Sequence, residues 1–203
     1  MIKLENYSLY TESIIKKIGD SKIKPSLLLH ACCAPCSSAV LEYLNKHFEI
    51  TLYFYNPNIS TLEEFSKRAE ELKRFVNEFP LENFKRVVIE DYDHSEFLSM
   101  VDGREGLKEG GARCYDCYKQ RIEKSALYAQ KNGFDMFTTT LSISPHKNAQ
   151  WLNKIGKTMS EEYGVDYLYS DFKKKNGYKR SCELSNEYNL YRQSFCGCEF
   201  SKR

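Results

Sequence analysis

Proline and glycine are scarce, 15 of 203 residues, and no apolar run approaches the roughly 20 residues that span a bilayer. The first shortage excludes collagen-like and low-complexity disordered chains, and the second excludes a helical membrane protein. The opening stretch MIKLENYSLYTESIIKK carries acids and lacks the apolar core and small-residue cleavage site of a signal peptide, so a cytoplasmic location is expected. A charge excess is missing as well. With 30 Lys and Arg against 28 Asp and Glu, the net charge of +2 is small for a protein that grips nucleic acid over a broad face. What is present is 41% hydrophobic and 29% charged residue content, in a length that suits one globular domain. Against that ordinary background stand eight cysteines. A reducing compartment disfavours structural disulfides, which leaves metal binding or thiol redox chemistry as their uses.

Periodicity divides the chain into alternating strands and helices. Residues 1–24 read as an N-terminal extension with an amphipathic stretch from Tyr10 to Lys17. Pro25 to Ala31 predicts a short buried strand running into the first cysteines, and Ser37 to His47 predicts a helix from the spacing of Val40, Leu41 and Leu44. Ile50 to Pro57 is a second strand. Ser60 and Thr61, each followed three residues later by a glutamate, give overlapping capping boxes for a helix reaching about Phe79. Strand-like runs follow at 86–92, 134–141 and 165–170, separated by helical patterns at Cys114 to Lys131 and Pro145 to Tyr163. The alternation predicts a single α/β domain over 1–203, with a mostly parallel, Rossmann-like sheet flanked by helices. In such sheets ligands collect at the carboxyl ends of strands, where the loops Cys32–Cys36 and Ser142–Asn148 are expected. The Gly-rich phosphate signature is absent there, and HACCAPCSS takes its place, so ATP use is not expected. The glycine-rich segment 102–112 reads as a connection or a lid.

Seven of the eight cysteines lie in three groups: CCAPC (Cys32, Cys33, Cys36), CYDC (Cys114, Cys117) and CGC (Cys196, Cys198). Both polydentate metal binding and dithiol exchange need sulfurs a few ångströms apart, and scattered core cysteines do not. Cys32 and Cys33 with Cys114 and Cys117 make four soft ligands, the number that an iron–sulfur cluster or a zinc ion requires. Adjacent cysteines suit a cuboidal cluster better than a zinc knuckle. Cys36 stands at a helix start, where the dipole favours a thiolate, and is an extra ligand, a reactive thiol or a packed small residue. Asp116 is a further metal candidate. Cys196-Gly197-Cys198 closes only a small strained ring when oxidised, which fits a readily reduced pair, a terminal pair of metal ligands being the other reading. Three functions compete on these grounds: a cluster-dependent oxidoreductase, a zinc-stabilised α/β nucleic-acid-binding module without redox activity, and a metal-free thiol–disulfide oxidoreductase.

The ordered motifs HACCAPCS, FYNPNI, RCYDCYKQRI, TTTLSISPHKN and FCGCEFS, spread from His30 to Ser201, resemble the QueH family of epoxyqueuosine reductases. The resemblance implies two-electron reduction of the epoxide of epoxyqueuosine to queuosine at the wobble position of a tRNA, the last step of queuosine biosynthesis. It implies a [4Fe–4S] cluster on Cys32, Cys33, Cys114 and Cys117, and a redox-active disulfide between Cys196 and Cys198 in a C-terminal redox tail, residues 195–203. An adjacent mononuclear iron or other metal ion is also implied, with Cys36, Asp116 or a thiol of the C-x-C pair as candidate ligands, and so is an external electron donor.

Proton donors to the epoxide oxygen are sought in His146, Tyr115, Tyr118 or water, and His30 is expected to be a buried, hydrogen-bonded neighbour of the cysteines. Asn56 and Asn58 either hold substrate or build the turn after the second strand. For tRNA contact, the segment 172–181 offers five basic residues and no acid, with Lys174, Lys175, Tyr178 and Arg180 as the candidates. Arg113, Lys119 and Arg121 are candidates to extend that patch.

Overall fold

A computed structural model of the chain describes residues 6–19 and 21–201. Parts of the predicted N-terminal extension (1–5 and residue 20) and the last two residues of the predicted redox tail lie outside the described residues. Five strands, β1 (Ser26–His30), β2 (Glu49–Phe54), β3 (Phe84–Ile89), β4 (Met136–Thr139) and β5 (Asp166–Tyr167), pair in the order β3-β2-β1-β4-β5. Every pairing is parallel. The helices are α1 (Tyr7–Ile18), α2 (Ala34–Leu44), α3 (Leu62–Glu78), α4 (Ser95–Val101), α5 (Ala112–Lys131), α6 (Ala149–Tyr163) and α7 (Gly177–Glu187). No helix among the described residues is long and apolar enough to cross a membrane.

The three leucines of β1 show how the sheet is covered. Successive strand side chains point to opposite faces, so Leu27 and Leu29 join one core with Val40, Leu41 and Leu44 of α2 and Leu72 and Phe75 of α3. Leu28 joins the other core, with Ile122 and Ala126 of α5 and Leu152 and Ile155 of α6. All three leucines are fully buried, each contributing about 2 kcal/mol of transfer free energy. Because β1 pairs with β2 on one side and β4 on the other, the chain reverses its winding there. The carboxyl ends of β1 and β4 therefore flank the crevice where α/β sheets bind ligands.

Several elements differ from the sequence expectation. The second helix begins at Ala34, three residues before the predicted Ser37, because Cys33 is extended (φ −174°, ψ 166°) and Pro35 fits the first turn. The strand expected over 134–141 ends at Thr139 and tightens into a 3-10 turn, Thr140–Ile143. Thr61, and not Ser60, caps α3, its hydroxyl accepting from the Glu64 N–H at 3.3 Å. Two helices were not expected. α4 spans only seven residues, too few to establish a period. α7 replaces the loop read over 172–181; its inward face is Ser181, Leu184 and Ser185, so a single leucine carries the apolar signal. The N-terminal stretch folds as α1, where the Thr11 hydroxyl donates to the Tyr169 carbonyl at 2.8 Å.

Candidate active site at the carboxyl ends of β1 and β4

Leaving β1, the chain places Cys32 and Cys33 in the crevice and Cys36 on the first turn of α2. The three sulfurs lie within 4.8 Å of one another, with Cys32 and Cys33 Sγ 3.8 Å apart. No side chain caps α2, so its first N–H groups and positive dipole end lie beside the triad. The Cys32 thiol is held well below the ordinary range, chiefly because Cys33 and Cys36 donate S–H bonds to it. The same coupling pushes Cys33 up to about 12 and raises Cys36. One anion is thus shared by two thiol donors. The Thr140 hydroxyl approaches Cys32 Sγ at 3.7 Å, and Gln193 Nε2 reaches Cys33 Sγ at 3.1 Å from the C-terminal segment.

A neighbouring cavity gathers the other two groups: Cys114 and Cys117 of α5 with Cys196 and Cys198 of the C-terminal turn, beside Tyr118, Arg121 and Lys147. Cys114 Sγ accepts from the Gly110 N–H at 3.2 Å. Lys147 Nζ lies 2.9 Å from Cys196 Sγ. Burial opposes ionisation of Cys196, but the charges of Lys147 and Arg121 outweigh it and bring the thiol below its ordinary value. Cys198 packs instead among Phe97, Val101 and Cys117, where burial pushes it up to about 12. Arg121 lies in electrostatic reach of Cys117, Cys196 and Cys32, and so links the cavity to the triad. All eight cysteines are free thiols.

The turn carrying Cys196 and Cys198 is clamped. Gly197 adopts φ +107°, and a Cβ there would lie 3.1 Å from Ile59 Cγ1 and 3.2 Å from Arg68 Nη1, so both conformation and space call for glycine. Arg68 Nη1 and Asn58 Nδ2 donate to the Cys196 carbonyl at 3.3 and 3.4 Å.

The remaining sequence candidates divide sharply. His30 is fully buried as expected: Nε2–H donates to the Tyr55 carbonyl at 3.0 Å, so Nδ1 accepts from the Thr139 hydroxyl at 2.9 Å. Asn56 is 1% exposed and donates from Nδ2 to the Ala31 carbonyl at 2.9 Å, tying the second strand's loop beneath the cysteines. An Asn56→Ala protein is therefore expected to lose about 1–3 kcal/mol of stability in urea titration, an unchanged midpoint being the opposite result. His146 is exposed, and the adjacent Lys147 turns inward in its place. Asp116 pairs with Arg104.

Arg113 and Arg121 are each 2% exposed, which removes both from the surface patch proposed for RNA. Arg113 pins the glycine-rich loop, donating from Nη1 to the carbonyls of Glu105 and Leu107 at 2.5 and 2.6 Å. Of the basic residues around α7, Lys175 pairs with Glu12, Arg180 with Glu42 and Lys173 with Asp171. Lys174, Lys175 and Arg180 line a second cavity between α1, α2 and α7, distinct from the cysteine cavity, while Tyr178 is 38% exposed. The sequence reading passed over Lys147 and Gln193 and gave Arg121 a surface role; its position four residues after Cys117, hence on the same helical face, is the signal that points it inward.

The model of the family "Epoxyqueuosine reductase QueH" matches residues 27–203. A relative of that name from Streptococcus pyogenes serotype M1 is 42% identical over 200 residues, covering 98% of this chain and 78% of its own. Relatives of the same name from Staphylococcus aureus and Thermotoga maritima are 40% and 36% identical, covering 98% and 87% of this chain and 86% and 90% of their own. With every cysteine of the three motifs gathered at one end of the sheet and a match running from β1 onward, the chain belongs to the epoxyqueuosine reductase QueH family.

Proposed function

We propose that this protein reduces the epoxide of epoxyqueuosine in tRNA to the alkene of queuosine. The observation that carries the reading is the meeting of three cysteine motifs beside the buried Arg121 and the half-buried Lys147, with the name shared by the relatives in support. The reaction consumes two electrons and two protons and releases water. No ordinary side chain supplies the electrons, whereas thiols and a thiolate-bound cluster do.

Cys32, Cys33, Cys114 and Cys117 are the ligands we assign to a [4Fe–4S] cluster; their sulfurs are the soft donors such a group takes, the first two in the triad and the other two in the neighbouring cavity. When bound, the cluster supplies electrons singly. Cys36, third member of the triad, and Asp116 are the candidates for a further metal ion. Cys196 and Cys198 form the two-electron store. Closing the disulfide from the dithiol releases two electrons and two protons, with Lys147 beside Cys196 favouring loss of its proton and apolar contacts keeping Cys198 protonated longer. An external donor then reopens it. Tyr118, 2% exposed and pushed up to about 12 chiefly by burial, stays protonated in the cavity and holds an O–H there. Lys174 and Tyr178, at the start of α7, are the surface proposed to meet tRNA.

The test is anaerobic purification followed by incubation with tRNA bearing epoxyqueuosine and a strong reductant. Brown protein with about four irons and four sulfides per chain, and nucleosides showing queuosine, is the expected result. Unchanged epoxyqueuosine with an intact reduced cluster would overturn the activity. Colourless protein holding one zinc would overturn the cluster.

A further inference from the structure

Arg121 is the largest of the fully buried side chains. Its Nε–H donates to the Cys117 carbonyl at 3.2 Å, the guanidinium stands 5.9 Å from the Tyr118 ring centre, and Nη2 has no hydrogen-bond partner. Among the described residues no carboxylate forms an ion pair with Arg121 or with Lys147. Glu109, the acid that lines the cavity, is exposed at its rim. A buried charge without a counter-ion costs several kcal/mol, and arginine does not escape that cost by losing its proton. The cavity must therefore furnish the anion itself, and the groups in reach of Arg121 that can do so are the sulfurs of Cys117, Cys196 and Cys32.

We propose that Arg121 is the fixed counter-charge of the cysteine centre, setting the potential at which that centre accepts an electron. This rests on the cysteines being cluster ligands as read above. A [4Fe–4S] group held by four thiolates is an anion, and each electron it accepts makes it more so. A guanidinium fixed in dry surroundings stabilises the more negative, reduced form over the oxidised one. Lys147 adds a second positive charge on the Cys196 side. Arg121 touches no reacting atom in this scheme; it is a positioning residue acting through the ligands, and α5 delivers it for that purpose one turn beyond Cys117.

The experiment compares wild type, Arg121→Gln and Arg121→Lys, all purified anaerobically, by iron and sulfide content and by redox titration followed with electron paramagnetic resonance. Arg121→Gln is expected to retain the cluster with at least a tenfold smaller equilibrium constant for one-electron reduction, a fall of about 59 mV in midpoint. Arg121→Lys should recover most of that shift. Should the Gln protein fail to hold iron while the Lys protein holds it, the requirement for charge is equally supported. An unchanged midpoint in an intact Gln protein, or equal loss of iron from both variants, overturns the proposal. Wild type lacking iron and sulfide overturns the cluster reading beneath it, and that failure is read from the wild-type sample alone.

Discussion

Cys198→Ser is expected to keep the iron and sulfide of the wild type and to convert no epoxyqueuosine, whereas Cys117→Ser is expected to lose the metal centre itself. The contrast is demanding because the two thiols are neighbours. Both are less than 9% exposed, both line the same cavity and both pack against Phe97 and Val101. Proximity does not divide them, but their attachment does. Cys117 rides on a 20-residue helix one turn from Cys114, a rigid spacing suited to two ligands of one centre. Cys198 follows Gly197 in a turn whose carbonyls are clamped by Arg68, Asn58 and Ser60, with Cys196 one residue away. The single-residue spacing on a glycine turn is what suits two sulfurs that must pair. Iron and sulfide assays paired with nucleoside analysis decide the matter, and equal iron loss in both variants would place Cys198 among the ligands.

Stability is expected to fall by about 3 kcal/mol as pH drops from 6.5 to 4, owing to His30 alone. Both ring nitrogens are engaged in the interior, and burial first, then the charge of Arg121, lower its pKa from 6.5 to about 4. Above pH 6.5 the ring is neutral in folded and unfolded chains alike. Below it, the unfolded chain takes up a proton that the folded one refuses, so stability drains away until the folded ring also protonates near pH 4. His30→Gln is expected to lie below wild type at pH 7, having lost part of the bonding to Thr139 and Tyr55, and to show a shallower decline. Urea titrations at pH 7 and pH 5 measure the difference. Parallel declines in the two proteins would show that His30 does not titrate in this window.

The strands and the cysteine grouping were legible because both are local signals. Leu27 to Leu29 announce a strand buried on both faces, and CCAPC, CYDC and CGC announce shared ligands, whatever the rest of the chain does. The inward turn of Lys147 and the burial of Arg121 were not legible, since a cation's exposure is decided by partners distant in sequence: Cys196 lies 49 residues from Lys147. The partners of the basic segment 172–181 were hidden for the same reason. Lys175, Arg180 and Lys173 read as free for phosphate until Glu12, Glu42 and Asp171 are brought beside them. His146, sought as a proton donor, is exposed, and the adjacent Lys147, given no role, is the one that turns inward.

The contact between Gln193 and Cys33 joins residues 160 apart. A chain still emerging from the ribosome therefore owns the strand-end triad long before it owns the turn that closes over it. The triad therefore stays without its Gln193 contact until residues far downstream of it have been made.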